Sequence, residues 1–507
     1  MPERAPARYE DRKRDFFSKR FNGVNTQADR TGIGENEFAW LENIMPIGHG
    51  NLRVVPHQGD ALATLPASTA AYWKYANIAG LDVLIVATAA GGAYQLNLAT
   101  QAWTLIAAAA TFTGNVRVAQ WENDRVLIIA GNDYWDWDGT TLTTLGGTTD
   151  APTGGTAIAV YAGRVWISDG RTVYYSAPAD YTDFQTASAG GSFIITDDTF
   201  KSEIIQMWSA NNFLYIFGDS AINVVSDVRV SSGVTLFSNA NITASVGTIY
   251  PQSIVPYYRT LSFMAPFGVH FVQGATPKKL SDALDGLLEN VDFAEPMSGG
   301  VTTLFKIQIA CWLYQYTDPE TAVTRALIVG YFAGKWFFMS QGDALTMIEG
   351  VYIDGTQYLY GTDGTAVYEL LSDSSRSIAT ILKSALWDLG DPVVTKQALK
   401  AGVEAKVTVS NTTLNISIVS ELGTAPGTIT ADNQGQWINN AGVMGQWINN
   451  SLVLGNWWIS GFVIYQGDIE GFGRYIGLDI ESTSPAFTYI GLLLENERRA
   501  RWTGRGA

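Results

Sequence analysis

The sequence predicts an all-β protein: an irregular β-propeller of six or seven blades followed by a β-sandwich or barrel-like domain. Three observations carry this. Long helical periodicity is scarce, short β-rich runs are punctuated by Asp-Gly and Gly-Asp turns, and those runs recur every 39 to 49 residues. Recurrence at that length, with three or four strands per unit, is the spacing of propeller blades. A large two-sheet sandwich with irregular hairpins gives a similar pattern, so both architectures stay open at this level.

Residues 1–65 read as an N-terminal strap with one short helix. The run "GENEFAWLENI" places Phe38 and Leu41 on one helical face, with Trp40 beside them, and Pro46 and Gly48 turn the chain out of it. It is either an adaptor-like element that meets a partner or a pinned strap that meets none.

Residues 66–372 carry the repeating pattern, in runs that start at Asp82, Arg125, Arg164, Phe213, Leu261, Ala310 and Gln357. Asp138-Gly139, Asp169-Gly170, Asp354-Gly355 and Asp363-Gly364 suit hairpin turns, because both residue types tolerate positive φ. The stretch "YWDWDG" resembles part of a calcium loop. However, Tyr134 takes the first ligand position and Leu145 stands where a bidentate Glu belongs, which favours a turn.

After a linker at 370–377, residues 373–507 read as an antiparallel β domain. "ALKAGVEAKVTVSNTTLNISIVSE" and "RYIGLDIESTSPAFTYIGLLLENE" alternate polar and apolar residues as half-buried strands do. An insertion at 433–460 interrupts them, repeating Gly-Gln-Trp-Ile-Asn-Asn and returning as Gly-Asn-Trp. A straight chain holds Trp437, Trp447 and Trp457 about 34 Å apart. The Asn439-Asn440 and Asn449-Asn450 clusters instead predict that it folds back. The tryptophans then either cover the sandwich as a duplicated hairpin or form an aromatic patch for a neighbouring subunit.

Charged residues make up 16% of the 507, against roughly 25% in ordinary soluble domains. The surface is therefore covered by neutral polar side chains or by other protein, as at subunit interfaces. A net charge of −16 argues against general nucleic-acid binding. Basic residues gather at the two ends, within 1–20 and in "RRARWTGRGA", as solvated tails or as arms for an acidic neighbour. The polar first twenty residues predict no secretory leader, and the longest apolar run, near 81–90, ends at Gly91-Gly92, too short to span a membrane. Synthesis in a cytoplasm is the resulting expectation.

Motifs for catalysis are missing. No Gly-x-Ser-x-Gly elbow, phosphate-binding loop or His-Glu-x-x-His occurs. His49, His57 and His270 lack zinc-ligand spacing, and Cys311, in an apolar run, reads as a buried structural thiol. No catalytic, cofactor-binding or metal residue is assigned, and the chain is not expected to be an enzyme. A polysaccharide hydrolase, which needs a carboxylate pair, and a receptor-binding module are the alternatives.

The segment Phe21 to Gly59, "FNGVNTQADRTGIGENEFAWLENIMPIGHGNLRVVPHQG", is the most specific stretch. Its Gly23-Val24-Asn25, Asn43-Ile44-Met45-Pro46 and Gly50-Asn51-Leu52-Arg53 resemble the opening of the tail nozzle, or tail stabilisation, proteins of short-tailed, podovirus-like bacteriophages. The late Gly-x-Trp repeats are similar to those such proteins carry. The resemblance implies a structural virion protein located in the tail, in a homo-hexameric ring that forms the distal DNA-ejection channel. Its implied partners are the tail adaptor and portal-proximal proteins, other tail proteins such as fibres, and the host outer surface. Genomic DNA would pass through the acidic lumen without specific binding. Candidate assembly residues are Phe38, Trp40, Leu41, Arg53, Trp437, Trp447, Trp457, Arg498, Arg499 and Arg501.

Overall fold

A computed structural model describes residues 13–501 apart from 49, 67–68, 343, 410, 436, 439–443, 446, 449–453, 456, 459–460 and 485–486; for 434–460 and 500–501 it describes the backbone at most. The fold is all-β, and the one α-helix among the described residues is the single turn Asp285–Leu288.

Seven four-stranded antiparallel units follow one another. They begin with the strands Ala70–Ile78, Arg117–Trp121, Ala157–Tyr161, Gln206–Ala210, Val255–Tyr257, Ser298–Leu304 and Met347–Ile353. The seventh unit takes its fourth strand from earlier in the chain: Ala61–Thr64 pairs with Ala366–Leu370. First strands touch in order through the first four units. Those of the fifth, sixth and seventh do the same, and the seventh touches the first. Apolar side chains fill the space between consecutive units. Trp135 and Trp137 of the second unit pack with Ile78, Val83 and Ile85 of the first, and Trp73 and Leu84 of the first pack with Val351 and Val367 of the seventh.

Most first-to-second strand links are two-residue loops with both residues at positive φ, as the strand twist requires. Of the four Asp-Gly pairs, Asp354-Gly355 forms such a loop, at φ +49° and +79°. Ala79-Gly80, Ala162-Gly163, Asn211-Asn212 and Phe305-Lys306 do the same work without an Asp-Gly signal. Asp138 and Asp363 instead close longer loops. The Oδ1 of each accepts hydrogen bonds from the amides two and three residues on.

The remaining strands form two sheets packed face to face. One contains Ile44–Ile47, Asn51–Val54, Phe487–Arg501, Val394–Val407 and Val463–Gly473, with Lys13–Ser18 beside Phe487–Arg501. The other runs Glu37–Glu42, Thr380–Ser384, Ile476–Ser482, Thr412–Ser420, Gly423–Ala431. Leu414, Ile416 and Ile418 point inward and Thr413 and Asn415 outward, the period of two that the sequence predicts.

The expected helix is a strand, Glu37–Glu42. A register shift between Phe38 and Trp40 against Thr380–Ser384 sends both Phe38 and Leu41 inward. Such a bulge imitates helical i, i+3 spacing, which is why the sequence reads as a helix. Glu37–Glu42 lies between the sixth unit and the sandwich and joins them into one ten-stranded sheet, while Ala61–Thr64 belongs to the seventh unit.

Candidate functional site

Polar side chains converge where the first strands meet. The run "AYWKY" supplies Tyr72 and Lys74 from the first unit, Arg117 comes from the second, Trp208 from the fourth and Glu349 from the seventh. Lys74 Nζ donates to Glu349 Oε1 at 2.7 Å and lies 4.6 Å from the centre of the Trp208 ring. Burial works against the Lys74 charge, but Glu349 more than offsets it and holds the ammonium above its usual pKa. Gln252 Nε2 donates to the Trp73 carbonyl at 3.2 Å. Cavities of about 410 and 170 Å³ open here, the first against Tyr72, Arg117 and Gln252, the second against Lys74, Trp208 and Glu349. Lys74 and Glu349 are 275 residues apart in sequence, so no motif announces them. The available signal is a lone cation in each of the apolar runs "AAYWKYANI" and "NVRVAQW".

The second polar centre binds the N-terminal segment to the sixth unit. Glu42 is 2% exposed, and Arg325 Nη2 donates to its Oε2 at 2.8 Å, as does Trp40 Nε1 at 2.7 Å. Asn43 adopts φ +58°, and its amide donates to the Ala379 carbonyl at 2.7 Å while its Oδ1 accepts from the Ser340 amide at 2.8 Å. Gly50, at φ +94°, admits Arg20 so closely that a Cβ would meet its backbone at 2.6 Å. Asn43 of the "N-x-x-P" motif thus bonds across this junction, while Gly50 of "G-x-L-R" packs within the N-terminal segment.

The candidate assembly residues divide by place. Phe38 and Leu41 are buried at 1% and 0% exposure, so they serve this chain's own core; Trp40 is half-buried against Tyr316 and Phe338. Arg53 is exposed and lies 3.9 Å over the Phe305 ring. Arg498 and Arg499 belong to the long strand Phe487–Arg501 and not to a tail. Arg499 Nε donates to Gln397 Oε1 at 2.7 Å, and Arg498 lies 3.9 Å from Asp391. The Arg501 side chain and residues 502–507 lie outside the described residues, as do residues 1–12 and His49. Lys13–Ser18 pairs with Leu492–Glu497, and Lys13 meets Glu495 at 3.1 Å.

The tryptophan repeat does fold back, and it closes on itself. Trp437 pairs with Gly445, Trp447 with Gly455, and Trp457 with Gly435, so each repeat's Trp stands opposite the next repeat's Gly and the third returns to the first. The tryptophan side chains and the asparagines at 439, 440, 449 and 450 lie outside the described residues.

Among the described residues no three His, Cys, Asp or Glu side chains converge as a metal site, and no helix is long and apolar enough to cross a membrane. No family model and no curated protein matches the chain. Among solved structures, the computationally designed Ika8 protein aligns over 62% of this chain and 100% of its own at 12% identity, with a TM-score of 0.36, a likeness too low to support any statement on fold or function.

Proposed function

We propose that this chain is a structural protein of the virion tail: a seven-bladed β-propeller joined to a β-sandwich, six copies of which form a nozzle-like ring through which DNA leaves. The observation that carries the reading is the segment Phe21 to Gly59, whose three motifs resemble the opening of nozzle proteins. Its Asn43 and Gly50 adopt φ +58° and +94°, conformations that suit Asn and Gly, which gives those residue types a physical reason.

Support for the propeller comes from the seven four-stranded units and from Ala61–Thr64, which precedes the first unit and completes the last. Ring assembly needs a heterologous interface that closes, and a chain with 16% charged residues suits broad contact with neighbours. The net charge of −16 suits a lumen that repels phosphate and lets DNA slide. The basic residues near the two ends of the sequence are suited to an acidic adaptor surface.

Quantitative mass spectrometry of purified virions tests this. About six copies per particle are expected for a single closed ring; absence of the chain from virions would remove the proposal. A second reading, adhesion to the host surface, draws on the closed tryptophan repeat. It requires that a Trp437→Ala, Trp447→Ala, Trp457→Ala variant lose cell binding while its assembly is unchanged.

A further inference from the structure

Arg117 is a buried cation without an anion. Its side chain is 9% exposed, in a protein with a 16-charge excess of acid, yet among the described residues no ion pair reaches it. Nη1 donates to the Val116 carbonyl at 2.8 Å, and Nε is buried with no hydrogen-bond partner among the described residues. The ring of Tyr72 lies 5.3 Å from its Cζ. A buried guanidinium left so is costly, because nothing replaces the water it gives up. The carboxylate of Glu349 pairs with Lys74.

The 410 Å³ cavity beside Arg117 is lined by Tyr72, Asn115, Gln252 and Phe293, with the exposed Glu295 among its lining residues. A second cavity, of about 360 Å³, shares Tyr72 and Arg117. Such volumes match small-molecule sites. Arg117 lines both cavities, and a guanidinium receives a carboxylate through strong charge-assisted hydrogen bonds. Two amide side chains and two aromatic rings in the same wall suit a ligand with hydroxyls and an apolar face.

We infer that this cavity binds a small carboxylate-bearing molecule of the acidic-sugar class, its carboxylate on Arg117 and its ring against Tyr72 and Phe293, with Asn115 and Gln252 meeting the hydroxyls. The site lies within one chain, so it stands or falls separately from the nozzle reading.

Glucuronate is the probe, titrated into the full-length protein by calorimetry and followed by saturation-transfer NMR, with glucose and sulfate as controls. Glucuronate is expected to bind, and both controls to bind at least about tenfold more weakly, since a charge-assisted pair and the hydroxyl contacts each contribute at that level. Arg117→Met should lose at least about tenfold in glucuronate affinity, while its melting temperature without ligand stays level or rises, because an unpaired buried charge has gone. If Arg117→Met does not fold, Arg117→Lys, which keeps the charge and loses the fork, should show the same loss. No binding at millimolar glucuronate, equal binding of glucose or sulfate, or unchanged affinity in the folded variant would each overturn the assignment.

Discussion

Glu42 gathers Arg325, Ser340 and Trp40 around one carboxylate. Burial alone would raise its pKa; the Arg325 guanidinium, with Ser340 and Trp40, overcomes that and holds it below the usual value. Breaking a buried pair leaves a stranded charge, so Glu42→Gln should cost about 3 kcal/mol, the low end of the range because Arg325 keeps a fifth of its side chain in water. Denaturant unfolding measures it. A carboxyl depressed in the folded state stabilises above its unfolded value, near 4.5, and this is lost as pH falls through the lower folded value. The gap between wild type and Glu42→Gln should therefore be full at pH 7 and narrow below about 4.5. Cys311 is fully buried and its thiol is pushed up by burial. Maleimide should leave it unmodified in native protein and label it on unfolding, as the apolar run around it already suggests. Glu42 and Arg325 were not legible in this way, since a pair 283 residues apart has no local signature.

The close crossing of the first strands of the sixth and seventh units depends on two glycines. A Cβ on Gly300 would meet the Gly350 amide nitrogen at 2.4 Å, and one on Gly350 would meet the Val301 amide nitrogen at 2.6 Å. Gly300→Ala and Gly350→Ala should each destabilise by roughly 1 to 3 kcal/mol, the usual cost of forcing matter into a packed contact, which thermal unfolding will read. The tryptophan insertion makes the opposite prediction. Its first and last strands pair, Gln434 with Trp458, so its two ends meet where Ala431 and Val463 leave the sandwich. Replacing 434–458 by a short Gly-Ser turn should leave the main unfolding transition in place, to be checked by calorimetry. Strand alternation in 412–420 was legible because one face is wet; the strand Glu37–Glu42 was not, because its bulge breaks the alternation that identifies strands. Asp-Gly marks only part of the hairpins, because positive φ at Ala-Gly and Asn-Asn serves equally.

Seven four-stranded units and a two-sheet sandwich share one chain, stitched by its N-terminal segment. The period of 39 to 49 residues made seven repeating runs visible in the sequence while leaving the blade count at six or seven. What it could not convey is that Ala61–Thr64 finishes the last unit, or that Glu37–Glu42 spans between the sixth unit and the sandwich, because both pairings join segments about 300 residues apart. This stitching predicts a body that unfolds with its two parts coupled. The central claim, that six such bodies form the tail's exit ring, is tested most directly by a localised cryo-electron reconstruction of the tail on intact particles. The account predicts a sixfold ring at the distal end, each sector fitted by one copy of this chain. Density for the chain elsewhere, in a different symmetry, or none in the tail, would contradict it.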